Sequence, residues 1–172
     1  MFMKKIKLFC FPYAGGLAHS YNKLKRYLGD NIEQVPIEYA GHGRRIKEPF
    51  YEDMSKAVSD TFNFVCNNID DEHYSFFGHS MGGLIAYETC HKLIEAKYKE
   101  PLHLFISGRL PPHIKKESDN ISHLPDKEFI EEILKIGGTP KEVFENQDLI
   151  NMLLMSSEKP ATILIEKPAI IY

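Results

Sequence analysis

The sequence has few cysteines, no surplus of basic residues and no long apolar run. The three cysteines, Cys10, Cys66 and Cys90, lie far apart and form no Cys-x-x-Cys pair, which favours reduced, mostly buried thiols over a disulfide framework. Lys and Arg number 21 against 24 Asp and Glu, a net charge of -3, and this balance lacks the electrostatic footprint of a nucleic-acid-binding protein. No apolar run could span a bilayer. From the charge balance and this absence we expect neither a nucleic acid nor a membrane as partner.

The amino-terminal residues MFMKKIKLFCF superficially resemble a secretory signal. However, Lys7 interrupts the apolar stretch, and Pro12 and Gly15-Gly16 follow at once, so the required apolar core is missing. We interpret this stretch as a buried strand that runs into a glycine turn, in a cytoplasmic protein. With 172 residues, 43% of them hydrophobic, the chain is long enough for a single domain with a real core.

Short apolar runs alternate with stretches of helical periodicity along the first two thirds of the chain. The runs predict strands, and apolar residues spaced three or four apart predict helices; the strands are expected at 5–11, 32–37, 74–77 and 102–107, and the helices at 21–28, 54–69 and 84–94. Such alternation is typical of an α/β fold with a mostly parallel sheet flanked by helices. Active residues of these sheets lie at the carboxyl ends of the strands.

The pattern changes to helices alone in the last third. We therefore divide the single domain, residues 1–172, into a core over 1–117, a helical lid over about 118–154 and a divergent tail over 155–172. Helices inserted after a strand of a hydrolase-type sheet commonly form a lid, and the alternative is an ordinary helical layer.

The segment Gly78-His79-Ser80-Met81-Gly82 has the form G-x-S-x-G between a predicted strand and a predicted helix. This is the context of a nucleophile elbow, in which small residues at Gly78 and Gly82 let the strand and helix pack closely around a strained serine. The helix N-terminus also favours negative charge near Ser80. We predict that Ser80 is a nucleophile; the alternative is a glycine-rich turn that contains an incidental serine.

An acyl-transfer site at Ser80 also needs backbone donors for an oxyanion. One donor would be the N–H of Met81, the residue after the nucleophile, and the other would come from the turn after the first strand. That turn is Phe-Pro-Tyr-Ala-Gly-Gly, where Ala14 is the preferred donor and Tyr13 the alternative. The chemistry implies no metal ion and no organic cofactor.

Several stretches together resemble one known family, the type II thioesterases of nonribosomal peptide and polyketide synthesis, which are α/β-hydrolases. The resemblance covers residues 6 to 154 and rests on LFCFPYAGG, IEYAGHGRR, FGHSMGG, ISGRLPPH and LPDKEFIEEILKIGGTPKEVFENQDLINMLL. The family's middle motif is usually closer to L-P-G-R-G-x-R, and here Ala40 and His42 depart from it within a loop.

The resemblance implies hydrolysis of acyl or aminoacyl groups wrongly attached to the phosphopantetheine arms of acyl or peptidyl carrier proteins. It assigns Ser80 as nucleophile, Met81 and the Tyr13-Ala14 region as the oxyanion hole, and residues near 120–154 as a lid. Two other classes stay open. One is a general serine esterase or lipase of the same fold, and the other is a non-catalytic remnant that binds a carrier protein.

No residue of the sequence is well placed to activate Ser80. In α/β-hydrolases an acid and then a histidine follow the serine. His91 and His103 lie too far along their helix and strand, whereas His113 and His123 belong to the loop over the active edge and could approach. The family's acid and histidine come in later G-x-x-D and G-G-H segments that this sequence does not contain. We therefore expect a chain that is truncated or frameshifted at its C-terminus and impaired in activity.

Overall fold

The structure is a computed structural model that describes residues 5–69 and 73–109 together with positions 125, 127, 128 and 131. Its elements, in chain order, are β1 (Ile6–Phe11), a 3₁₀ helix (Ala18–Tyr27), β2 (Ile32–Pro36), a short 3₁₀ turn (Gly43–Arg45), α1 (Met54–Cys66), β3 (Tyr74–His79), α2 (Met81–Glu95) and β4 (Leu104–Ser107). The predicted alternation of strands and helices is confirmed. Apart from the four isolated positions, the predicted lid and tail lie outside the described residues.

The described strands form one parallel sheet in the order β2-β1-β3-β4. At the carboxyl ends Phe11 pairs with Gly78, and His79 pairs with Ser107. The chain order reverses between β1 and β3, because β2 lies outside β1 and β4 lies outside β3. Such a switch point opens a crevice at the carboxyl ends of the two central strands. The turn after β1 and the turn after β3 therefore leave the sheet side by side.

One face of the central strands is built from alternating aromatic residues. Phe9 and Phe11 of β1 and Tyr74 and Phe76 of β3 are at most 2% exposed, and their rings meet mostly edge to face at centroid distances of 5.1 to 6.1 Å. Successive strand residues point to opposite sides, so this set shares one face, where Phe9 also contacts Phe64 of α1. Burying each large apolar side chain contributes about 1.5–3 kcal/mol, which makes this layer the rigid base of the site.

The opposite face of β1 and β3 packs against the 3₁₀ helix. Cys10 and Phe77, which are paired in the sheet, point to this side, where the ring of Tyr21 meets Phe77 edge to face at 5.0 Å. The predicted helix over 21–28 therefore exists, but it is a 3₁₀ helix in which residues three apart share a face. The apolar spacing of Ala18, Tyr21 and Leu24 suits that geometry.

Element ends differ from the sequence prediction, since α1 ends at Cys66 and β3 continues to His79. Ile94, expected on the inner face of α2, is 40% exposed, and β4 begins at Leu104, so that Leu102 precedes the strand. Both positions lie where an element begins or ends, and the apolar pattern there does not mark the change of direction. No helix in the part of the chain that the structure describes combines the length and apolarity needed to cross a membrane.

Candidate active site

Ser80 occupies the sharp turn between β3 and α2. Its backbone has φ 52° and ψ −119°, a conformation that costs a non-glycine residue about 1–3 kcal/mol. The turn is held because the Ser80 N–H donates to the Ser107 carbonyl at 2.8 Å, and the Ser80 carbonyl accepts from Gly83 N–H at 3.1 Å and Leu84 N–H at 3.3 Å. The hydroxyl makes no capping bond to α2. The Ser80 backbone is therefore held in a strained conformation by backbone hydrogen bonds, and the Ser80 hydroxyl does not contribute a capping bond to the turn.

The glycines around Ser80 are required by close backbone contact. A Cβ on Gly78 would lie 2.4 Å from the carbonyl carbon of Gly82. A Cβ on Gly82 would lie 2.1 Å from the Phe11 carbonyl oxygen and 2.4 Å from the Pro12 carbonyl oxygen. Gly82 thus lets the exit of β1 touch the first turn of α2, which brings the two predicted halves of the oxyanion hole together.

The turn after β1 closes between Tyr13 and Gly16. The Gly16 N–H donates to the Tyr13 carbonyl at 2.8 Å, and Gly15 has φ 71°, the geometry of a turn that requires glycine at its third position. Within residues 5–69 and 73–109, no backbone acceptor is paired with the N–H of Tyr13 or Ala14. Tyr13 and Ala14 are both exposed. Neither amide is committed to a backbone acceptor in these ranges, so Ala14 and Tyr13 both stay candidate donors.

Met81 begins α2, so its N–H is among the first N–H groups of the helix, which lack intrahelical acceptors. Among the described residues it has no backbone acceptor. The positive end of the helix dipole adds to its preference for an anion. Ser80, Met81, Gly78 and Gly82 therefore form one compact turn at the carboxyl end of β3, next to the turn that holds Ala14.

The His79 ring lies against neighbouring elements and forms no hydrogen bond with Ser80 in the described structure. Its Nδ1 lies 3.2 Å from the Ser107 Oγ, and a Cβ on Gly108 would come within 2.2 Å of its ring. On the other side its ring meets that of Tyr13 at 6.1 Å. The exposed His79 ring thus lies between the turn after β1 and the residues at the end of β4, which the sequence could not indicate.

The other histidines that follow Ser80 do not supply a base in the described structure. His91 packs against Tyr87 on α2, with ring centroids 4.4 Å apart, and His103 stacks on Phe105. His113 and His123 lie outside the described residues. Within residues 5–69 and 73–109, no histidine nitrogen forms a hydrogen bond with Ser80 Oγ.

The loop after β2 is fastened to α1 by a charged cluster. Arg45 donates to both Asp60 carboxylate oxygens, at 2.6 and 3.2 Å, and to Glu48 at 2.8 and 2.6 Å. Tyr51 donates to Asp60 at 2.5 Å and accepts from the Ala40 N–H at 3.0 Å. Burial raises the pKa of the Asp60 carboxyl, but the hydrogen bonds from Arg45 and Tyr51 outweigh it and hold the pKa below its ordinary value of 3.8.

Two of the cysteines, Cys10 and Cys90, are unsuited to nucleophilic catalysis. All three are unpaired; Cys10 is buried and the other two are partly buried, which agrees with the burial expected for Cys10. Burial raises the pKa of the Cys10 thiol to about 11, against a smaller lowering by Gln34, and burial together with Glu100 raises the pKa of the Cys90 thiol to about 11. Both thiols stay protonated at neutral pH, and the thiolate is the reactive form.

Comparison with known proteins gives one consistent family. The protein-family model described as the thioesterase domain matches residues 6–165 of this chain. The chain is 36% identical to linear gramicidin dehydrogenase LgrE of Brevibacillus parabrevis, covering 87% of this chain and 58% of LgrE. It is 35% identical to the medium-chain S-acyl fatty acid synthase thioesterase of Rattus norvegicus, covering 86% of this chain and 57% of the rat protein.

Among solved structures, ClbQ from the colibactin NRPS/PKS pathway superposes with a TM-score of 0.79 at 38% identity, covering 90% of this chain and 66% of ClbQ. The chain spans just under three fifths of the length of LgrE and of the rat protein. LgrE bears a dehydrogenase's name, but the first turn here, Phe-Pro-Tyr-Ala-Gly-Gly, lacks the G-x-G-x-x-G spacing that places a dinucleotide pyrophosphate on a helix.

Proposed function

The chain belongs to the thioesterase family, and from this premise we propose that it hydrolyses acyl or aminoacyl thioesters on the phosphopantetheine arms of carrier proteins in nonribosomal peptide or polyketide synthesis. The observation that supports this most is the strained Ser80 turn, at φ 52°, set against the exit of β1. Strain of this kind persists where a side chain must be presented in one direction. The similarity to ClbQ, which comes from the colibactin NRPS/PKS pathway, supports carrier-bound thioesters as the substrate class.

In the proposed reaction Ser80 Oγ attacks the thioester carbonyl. The Oγ–carbon bond forms, the carbonyl becomes an oxyanion, and the backbone N–H groups of Met81 and of Ala14 or Tyr13 donate to it. The carbon–sulfur bond then breaks, and the serine proton passes through a base to the departing thiol of the arm. Water hydrolyses the acyl-serine, which releases the carboxylic acid and restores Ser80.

The proposal requires a base, because a serine hydroxyl is a weak nucleophile at neutral pH. His113 and His123 are the candidates within the sequence, in the loop expected over the active edge. The alignment with LgrE covers 58% of the length of LgrE. The hydrolytic activity is therefore proposed for the whole protein to which this sequence belongs.

We propose that the partner is an acyl or peptidyl carrier protein and that the protein acts in the cytoplasm. The three unpaired thiols fit a reducing compartment. A net charge of -3 gives no reason to add a nucleic acid as a second partner.

The substrate class can be tested by comparing three acyl donors that bear the same acyl group: the acyl-phosphopantetheinyl carrier protein, free acyl-coenzyme A and a p-nitrophenyl ester. We expect the carrier-bound thioester to give the highest kcat/KM. Ser80→Ala is the matched control and should reduce turnover by several orders of magnitude, as loss of a catalytic nucleophile does.

The same comparison separates the alternatives. A preference for the simple ester would indicate a general serine esterase or lipase. Tight binding of the carrier without hydrolysis would indicate a non-catalytic carrier-binding protein. Equal affinity for the carrier protein and for free coenzyme A would count against a carrier-directed role, and near-full activity of Ser80→Ala would remove Ser80 from the mechanism.

A further inference from the structure

Two tyrosine hydroxyls bind consecutive carbonyls at the exit of β1. Tyr21, on the 3₁₀ helix, donates to the Phe11 carbonyl at 3.2 Å. Tyr39, which follows β2, donates to the Pro12 carbonyl at 3.1 Å. The two tyrosines come from different elements, so the short segment between β1 and its turn is held from two directions.

The same two carbonyls face the first turn of α2. A Cβ on Gly82 would lie 2.1 Å from one carbonyl oxygen and 2.4 Å from the other, so Gly82 and the tyrosine hydroxyls are all neighbours of this peptide segment. Movement of Phe11 or Pro12 would change the distance between the turn that contains Ala14 and the turn that contains Met81. The hydroxyls therefore act where the two proposed halves of the oxyanion hole meet.

The rings that bear these hydroxyls are themselves packed. Tyr21 meets Phe77 at 5.0 Å and Tyr13 at 6.3 Å, and its own carbonyl accepts from the Gln34 side chain at 2.8 Å. Tyr39 is 2% exposed and meets the rings of His42 and Tyr51, each at 6.3 Å. Rotation of a tyrosine ring about its Cβ–Cγ bond leaves the oxygen in place, so either hydroxyl can leave its carbonyl only if the whole packed ring moves.

Both hydroxyls also remain donors over the physiological pH range. Burial is the main cause that raises the pKa of Tyr21, to about 12, and burial raises the pKa of Tyr39 well above its ordinary value. A protonated hydroxyl can donate to a carbonyl and a phenolate cannot, so neither contact is lost to titration in this range.

We propose that Tyr21 and Tyr39 are positioning residues of the oxyanion hole: their hydroxyls hold the Phe11 and Pro12 carbonyls so that the amide of Ala14 or Tyr13 stays opposite that of Met81. The proposal rests on the proposed thioesterase function. It concerns two residues that the G-x-S-x-G motif does not include and whose hydroxyls donate to the Phe11 and Pro12 carbonyls.

The test uses Tyr21→Phe, Tyr39→Phe and the double variant, which remove one or two oxygens and keep the rings. Tyr74→Phe is the matched control, because the Tyr74 hydroxyl donates to the Lys99 carbonyl, remote from the β1 exit at the amino end of β3. Thermal melting confirms that each variant is folded. The first measurement is hydrogen exchange of the buried Gly16 amide, which closes the turn on Tyr13, relative to core amides of β1.

We expect Gly16 exchange to become about fivefold faster for each hydroxyl removed, which corresponds to the loss of one hydrogen bond, and to stay unchanged in Tyr74→Phe. The second measurement is acyl-carrier hydrolysis. Loss of a positioning contact should lower kcat by about tenfold to a hundredfold in the double variant, with KM unchanged, because only the transition state carries the oxyanion.

Unchanged Gly16 exchange in the double variant would overturn the proposal, and so would an unchanged kcat in an active protein. A rise in KM alone would also overturn it, since that pattern indicates altered substrate binding. If the wild-type chain hydrolyses no acyl-carrier thioester, the proposed function fails, and the Gly16 measurement still decides whether the two hydroxyls hold the turn.

Discussion

Replacing Gly82 with alanine adds one methyl group where the exit of β1 contacts α2. The new Cβ would lie 2.1 Å from the Phe11 carbonyl oxygen, and Cβ atoms essentially never come closer than 3.0 Å to a heavy atom of a residue that is not a chain neighbour. Backbone must therefore retreat by about 0.9 Å. No flexible side chain can absorb this shift, because the atoms that the methyl group meets belong to the Phe11 and Pro12 main chain.

Two effects of opposite sign decide the size of the change. Alanine is preferred over glycine in a helix by up to about 1 kcal/mol, whereas forcing a methyl group into a packed region costs about 3 kcal/mol at the upper end of the usual range. The net destabilisation is about 2 kcal/mol. For a chain of this length, that corresponds to a melting temperature lowered by about 4–8 °C. A displacement near 1 Å at the oxyanion site should also reduce kcat by about a hundredfold.

The assay is thermal unfolding followed by far-ultraviolet circular dichroism, with thioester hydrolysis measured in parallel. Gly29→Ala is the matched control, because the close neighbour of its new Cβ is the Asn31 side-chain oxygen at 2.8 Å, which can rotate away. We expect the control to melt within about 2 °C of the wild type. A Gly82→Ala protein that melts and turns over like the wild type would refute the close contact between β1 and α2.

Three further predictions concern stability. Ser80→Gly should raise the melting temperature by about 2–4 °C while abolishing hydrolysis, because glycine adopts positive φ without strain; a lower melting temperature would contradict strain at φ 52°. Lys97→Gly should raise it by about the same amount, since Lys97 follows α2 at φ 61°, and no change would argue against that conformation. Asp60→Asn should destabilise the protein at neutral pH, because the folded pKa of Asp60 lies below its ordinary value of 3.8. That stabilisation is complete above about pH 5 and is lost as the pH falls through the folded pKa. The difference in melting temperature from the wild type should therefore shrink on acidification, and a difference that grows there would be inconsistent with the ion pair.

Sequence patterns predicted the strands and the tight turn at Ser80 because both depend on local residues. The apolar run before Gly78 and the glycines around Ser80 are enough to indicate a strand, a tight turn and a helix. The parallel sheet followed from the alternation of elements. These features need no knowledge of which distant residues meet.

Contacts between distant parts of the chain were not predictable in the same way. Tyr21 was expected as part of a helix face and Tyr39 was not singled out, because their hydroxyl partners, Phe11 and Pro12, are carbonyls that lie ten and twenty-seven positions away. The direction of His79 likewise depends on Gly108, which meets it only because β3 and β4 are neighbours. Backbone carbonyls leave no trace in a residue pattern, so such contacts become visible only in three dimensions.

The central claim, that Ser80 is acylated during thioester hydrolysis, is tested most directly by trapping the acyl-enzyme. The protein is mixed with an acyl-phosphopantetheinyl carrier, quenched in acid within the first turnover and digested for peptide mass spectrometry. The account predicts one acyl ester, located on Ser80, in the peptide that contains Gly78 to Gly82, and no adduct in Ser80→Ala. An acyl group found on another residue, or equal hydrolysis by Ser80→Ala, would contradict it.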